Sequence, residues 1–215
     1  MPEHFRGSCT LIAEEAADCR VHRLASARAR CFSDNLIGNK KAVKAFLPDL
    51  AQWLRERDYP FEFTTEASLN LADDPELLGL LERANFVGVF VGIESPDTAT
   101  LIAMRKKQNT RRSIAQSIHT IYASGLFVTA GFIIGFDSET ESAADAMIDL
   151  IEEAAIPVCM VGLLYALPNT QLSRRLQKES RLLPHPERKD LKTADQCTMG
   201  LNFETLRPRH EVLSD

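Results

Sequence analysis

The residues best placed to do chemistry in this chain are carboxylates that end apolar runs. Glu66 closes the alternating stretch Phe61-Glu62-Phe63-Thr64-Thr65-Glu66, and Glu94 follows the almost wholly apolar Phe86 to Ile93. An unpaired carboxylate is costly to bury, so one at the end of such a run is a candidate ligand contact, or an acid or base. Other polar groups also follow apolar runs: Ser33, Asp34 and Asn35, then Thr65, Ser95, Gly135, Asp137, Glu139, Tyr165 and Asn169. Gathered on one rim, they suit hydroxyls, amines or a cation. Several have a plainer role as well. Asp34 or Asn35 can cap a helix starting near residue 39, Ser95-Pro96-Asp97 reads equally as a turn and cap, and Glu139 as an ordinary acid in a helix's first turn.

Gly131-Phe132-Ile133-Ile134-Gly135 is a strand with glycines four apart, a pattern that often marks close approach of a ligand or backbone. It is not a phosphate loop, because no Lys-Ser or Lys-Thr follows. The five cysteines, Cys9, Cys19, Cys31, Cys159 and Cys197, are scattered and odd in number, so no disulfide framework is implied. Cys19-x2-His22 could be half of a zinc site, but it has no closely spaced partner pair. The reading is therefore no metal site. His119 beside Ile118 reads as a helix-flank residue, and Arg105-Lys106-Lys107 as a solvated loop.

Short apolar runs alternate with longer amphipathic ones, as in repeated βα units with a parallel sheet. Clear strands are expected near residues 61, 86, 127 and 157, with a fifth at Cys31-Phe32. Helices are expected from Asn39 to about Arg57 and from Asp74-Pro75 to Ala84. A short one follows Asp97, and another runs from about Thr110 to Ala123, stopped by Gly125. Ser138 with Glu141 fits a capping box opening a helix to about Ala154, and Pro168-Asn169-Thr170 leads into a short helix. Beyond Arg181, prolines and dense charge suggest an extended tail. A closed eight-stranded barrel takes about 250 residues, more than the 215 here. The expected fold class is α/β: an incomplete (β/α) barrel of four to five parallel βα units, open at its N-terminal edge.

Composition narrows the function. The chain is 45% hydrophobic and 26% charged, which excludes disorder and disulfide scaffolds. A net charge of -5 argues against nucleic acid as the partner, since a phosphate-tracking surface shows as a basic excess. Met1-Pro2-Glu3-His4 does not read as a signal peptide, and no apolar run is long enough to span a membrane. The expected setting is the cytoplasm, with a small molecule as the partner.

Six segments in order carry a family resemblance. They are Asp34-Asn35-Leu36-Ile37-Gly38-Asn39-Lys40-Lys41, Thr64-Thr65-Glu66-Ala67-Ser68, Val91-Gly92-Ile93-Glu94-Ser95-Pro96, Lys107-Gln108-Asn109-Thr110, Gly131 to Asp137, and Leu167-Pro168-Asn169-Thr170. Over about residues 31–205 the chain resembles the radical S-adenosylmethionine (radical SAM) enzymes, in the subgroup that carries a cobalamin-binding domain ahead of the core. Gly200-Leu201-Asn202-Phe203 resembles that subgroup's extension after the core.

The resemblance implies a partial (β/α)6 barrel holding a [4Fe–4S] cluster and S-adenosylmethionine. By the same resemblance, Asp34-Asn35 face the methionine moiety and Glu94-Ser95 the ribose. Gly131, Ile133 and Gly135 lie against adenine, the last strand with Tyr165 flanks it, and Glu66 faces the cavity. One departure is decisive. The family holds its cluster with Cys-x3-Cys-x2-Cys, leaving one iron to chelate S-adenosylmethionine, whereas the first three cysteines here lie ten and twelve positions apart. The cobalamin domain is also missing from this sequence.

The expectation is a truncated core, with an atypical, helical segment at 1–30 consistent with a shifted start, a barrel core at 31–178 and an extension at 179–215. Alone it is expected to do no radical chemistry. Two rivals stand beside it: a non-catalytic remnant or partner subunit, and an unrelated barrel enzyme using Glu66 and Glu94 as acid and base. An open sheet edge is expected to invite self-association or a completing subunit.

Overall fold

The structure, a computed structural model, describes residues 29–33 (backbone course only), 36–104, 113–139, 143–183 and 201–215. Asp34, Asn35, Glu141, the basic loop at 105–107 and the helix expected before residue 29 lie outside them. The expected sheet is present. Strands β1 (Ala29–Ser33), β2 (Phe61–Ala67), β3 (Phe86–Glu94), β4 (Phe127–Ile134) and β5 (Val158–Leu163) are all parallel and lie side by side in chain order. Strand order that never reverses is the winding of a barrel. A doubly wound sheet would reverse at a switch point. β1 and β5 do not pair, so among the described residues the barrel is open at both edges.

Between β1 and β2 runs α1 (Lys40–Arg55), capped by the Asn39 side chain, which accepts from the Ala42 N–H at 3.1 Å. Its stripe Val43, Leu47, Leu50 and Leu54 is buried, and Trp53 stacks on Phe61 of β2. Pro48 lies inside this helix on its exposed side. An interior proline costs about 3 kcal/mol, and burying four large aliphatic side chains at about 1.5–3 kcal/mol each outweighs it. α2 (Pro75–Arg83) starts as its sequence dictates: the Asp74 carboxylate accepts from Leu77 N–H, and Pro75 occupies the first turn. α3 (Thr98–Ala103) follows β3.

α4 (Ile114–Ala123) begins later than expected, capped by Ser113, and Gly125 ends it at φ +85°, a conformation glycine adopts without steric cost. α5 (Ala143–Glu153) precedes β5, and α6 (Gln171–Lys178) is capped by Thr170. The side chains alternate along the strands. Phe63, Val89, Val91, Val128, Ala130 and Phe132 point into the helix layer and are buried, while residues one position away face the other side and stay partly exposed at several positions.

The expectation of an extended tail is corrected in part. Residues 201–215 fold back, with Leu201, Phe203 and Val212 in the core and a short helix α7 (Arg209–Val212). Leu182 and Phe203 form an antiparallel bridge. The Asn202 carboxamide pairs with both backbone groups of Ala166, accepting at 2.8 Å and donating at 3.1 Å. The apolar side chains at 201, 203 and 212 explain the return: each removes surface from water that an extended tail would leave exposed.

Candidate functional site

In a parallel sheet, ligands collect where the strands end, because loops and helix N-termini converge there. After β2, Thr65 is fully buried; its hydroxyl accepts from Leu36 N–H at 3.4 Å and donates to the Glu66 carbonyl at 3.1 Å. Glu66 itself is exposed on the face away from the helices. Opposite it in the register stands Phe90, four residues before Glu94, or about 13 Å along the strand at ~3.3 Å per residue. The register does not bring the two carboxylates to a common point, as paired acid–base work would require.

β3 ends in an unusual way. The register slips between Gly92 and Glu94, and Glu94 takes φ +71°. A non-glycine residue in that region is strained, and such residues cluster at ligand sites. Ser95 is fully buried, its hydroxyl accepting from Asp97 N–H at 3.1 Å; Asp97 caps α3 by accepting from Thr100 at 2.7 Å. Ser95 thus does the work of a turn, which the sequence left open.

The turn after β4 is organised by contacts no local pattern announces. Ser138 exchanges a 2.8 Å hydrogen bond with Thr100, tying the loops after β3 and β4 together; Glu141, its expected partner in a capping box, lies outside the described residues. Glu139 is not an exposed acid. It is buried, one carboxylate oxygen accepts from the Gly135 N–H at 2.7 Å, and the other has no partner. Burial pushes its carboxyl up from the usual range, against the pull of the Gly135 and Phe136 N–H groups and the Arg207 charge. Asp137 lies between two arginines: Arg175 at 2.8 Å, and Arg181, which holds both carboxylate oxygens. Arg181 above all, then the charges of both arginines, keeps its carboxyl below the usual range despite partial burial. Asp137 is therefore spent on structure.

The glycines are crowded. A Cβ on Gly131 would lie 2.7 Å from Phe90 Cζ, and one on Gly135, at φ +109°, 2.8 Å from Leu201 Cδ2. The close approach expected there is made, in this structure, by a phenyl ring and by the returning C-terminal segment. Ile133 and Tyr165 remain partly exposed. Sequence reasoning named Glu139 without its burial, and gave Thr64 and Asn202 no role of their own. The one available signal was polarity next to predicted buried apolar residues, and it does not say which partner answers.

Among the described residues no three of His, Cys, Asp and Glu are grouped to hold a metal ion, and the one cysteine described with its side chain, Cys159, is free and exposed on β5. The described residues therefore do not fit a [4Fe–4S] cluster, which needs convergent thiolates. No helix among the described residues is long and apolar enough to cross a membrane.

No family model matches the chain. It is 44% identical over 85% of its length to an uncharacterised methyltransferase of Synechocystis sp., covering 33% of that protein. It is 40% identical over 84% of its length to the hopanoid C-2 methylase of Rhodopseudomonas palustris, covering 32% of it. The chain thus spans about a third of the curated relatives it matches. Its fold matches the radical S-adenosylmethionine methyltransferase TsrM from Kitasatospora setae, solved with cobalamin and a [4Fe–4S] cluster bound. That match has a TM-score of 0.60 and 16% identity, over 72% of this chain and 32% of that one.

Proposed function

Because the chain is a partial radical SAM barrel resembling the cobalamin-type subgroup, we propose that it is the S-adenosylmethionine-binding portion of a methyltransferase core and performs no radical chemistry alone. The observation that carries the reading is the strained end of β3. Glu94 is held at φ +71° on the rim of an in-order parallel sheet, where a carboxylate can accept from both hydroxyls of a ribose. Ser95 fixes the turn beneath it. The Gly131–Gly135 backbone, Ile133 and Tyr165 would border adenine, Asp34 and Asn35 the methionine end, and Glu66 the open cavity. S-adenosylmethionine, when bound, supplies a methyl group or a cleavable sulfonium. The acidic groups favour that cationic ligand by Coulomb attraction. The missing Cys-x3-Cys-x2-Cys motif supports the second half of the proposal, and equally a role as a partner subunit completed by another chain.

Calorimetric titration of the chain with S-adenosylmethionine tests the reading. Saturable binding is expected, weakened at least tenfold, or about 1.4 kcal/mol, by Glu94→Ala. Anaerobic treatment with iron and sulfide is expected to leave no iron–sulfur absorption. Absence of binding refutes the ligand assignment, and a stable cluster refutes the silence.

A further inference from the structure

We propose that Asn202 is a positioning residue for the ligand site: from the returning C-terminal segment it fixes the turn at Ala166, and with it Tyr165. This deepens the S-adenosylmethionine reading above and rests on it. The last β4–β5 pair is Ile134 with Leu163, and Leu164 N–H then donates to the Ile134 carbonyl at 2.8 Å. Past that point Leu167 N–H donates to the Tyr165 carbonyl at 3.0 Å, closing a three-residue turn centred on Ala166. Ala166 thus lies beyond the sheet, yet it is only 3% exposed. Buried backbone groups are almost always paired. Here one side chain answers both: Asn202 Oδ1 accepts from Ala166 N–H at 2.8 Å, and Asn202 Nδ2 donates to the Ala166 carbonyl at 3.1 Å. A carboxamide carries an acceptor and a donor on one planar group, so it stands in for the strand that is missing.

Asn202 is itself anchored. Its carbonyl accepts from Leu183 N–H at 3.0 Å, Phe203 bridges to Leu182, and Glu204 N–H donates to the Arg181 carbonyl at 2.8 Å. Its neighbour Leu201 meets the other border of the site. Leu201 Cδ2 lies 2.8 Å from where a Cβ on Gly135 would stand, and Gly135 holds φ +109° beneath it. Two consecutive residues therefore grip the end of β4 and the loop after β5, the borders assigned above to adenine. Together they set the gap between Gly135 and Tyr165. A loop held beforehand in its bound shape binds more tightly, because no ordering cost falls on the binding step. Loss of Asn202 should then weaken binding through the loop, beyond any general loss of stability.

The test uses the full chain labelled with 3-fluorotyrosine, whose tyrosines are Tyr59, Tyr122 and Tyr165. Tyr165→Phe assigns the Tyr165 fluorine resonance. In Asn202→Ala that resonance should shift or broaden while those of Tyr59 and Tyr122 stay in place. Calorimetric affinity for S-adenosylmethionine should fall about tenfold, the effect of losing one or two net hydrogen bonds. Asn202→Asp keeps the acceptor for Ala166 N–H and loses the donor, so it should show both changes at reduced size. It carries the test if Asn202→Ala does not fold. Val43→Ala controls for stability, since Val43 is fully buried on α1, between β1 and β2. It should lower the thermal midpoint yet leave the Tyr165 resonance in place and the affinity within twofold. An unmoved Tyr165 resonance, an unchanged affinity, or an equal loss in Val43→Ala overturns the inference. The two arms separate the claims. Binding by the parent with an unmoved resonance sinks only the inference. A moved resonance in a chain that binds no S-adenosylmethionine sinks the ligand reading and leaves Asn202 as the residue that positions Tyr165.

Discussion

Replacing Phe203 by alanine is the sharpest test of whether the C-terminal segment belongs to the core. Phe203 is 1% exposed and sits in the returning segment beside Leu182, with the Arg181 guanidinium 5.9 Å from its ring centroid. Removing a buried phenyl costs about 3–5 kcal/mol, and losing a cation–π contact near the limit of its range adds about 0.5 kcal/mol. Against a total stability of about 5–15 kcal/mol, that is a large share. At about 2–4 °C per kcal/mol for a chain of this size, the thermal midpoint should fall by about 7–22 °C. Thermal unfolding followed by circular dichroism measures it, and in urea the unfolding midpoint should move with the slope unchanged. Leu206→Ala serves as the control, since Leu206 lies three residues on and is 68% exposed, and should cost under about 0.5 kcal/mol. If the two variants lose the same small amount, residues 201–215 are not part of the core. The packing of Leu201 on the Gly135 turn would then be wrong too.

Two carboxylates of the β4 turn should act on stability with opposite sign. Asp137 is held below the usual range by its arginines, so its contribution is present above the ordinary carboxylate range and is lost as the pH falls through its folded value. Asp137→Asn should cost about 1.5–3 kcal/mol at neutral pH and flatten the acid limb of a stability–pH profile; an unchanged acid limb would refute the pairing. Glu139 is raised by burial, so the neutral form is the one the fold favours. Its contribution is complete below the ordinary range and is lost as the pH rises through the folded value. Glu139→Gln keeps an acceptor for the Gly135 N–H and removes the charge. It should match or exceed the parent at neutral pH and show a flatter profile above about pH 4.3. A profile parallel to the parent's would mean that Glu139 is not buried in solution.

Much of the framework was legible because it is written locally. Asn39 and Asp74-Pro75 announce helix starts through side-chain oxygens placed to meet free N–H groups, and Gly125 announces a stop through its tolerance of positive φ. The apolar runs at 86 and 127 announce strands buried among neighbours. Where the reading failed, the deciding partner was far along the chain. Ser138 answers Thr100, 38 residues away, and Pro48 is tolerated because α1 is held by packing.

The sequence by itself determined that this is a parallel α/β chain of barrel type, lacking the cysteine spacing of a cluster, with carboxylates ending two of its strands. Period-two and period-3.6 patterns and residue spacing are properties of the chain alone. Only the tertiary structure decided which carboxylate is strained on the rim, which is neutralised by arginines and which is buried. It also decided that Phe90 covers one glycine and Leu201 the other. Those outcomes depend on side chains from distant segments competing for the same volume and the same hydrogen bonds, a competition settled only when the sheet is assembled.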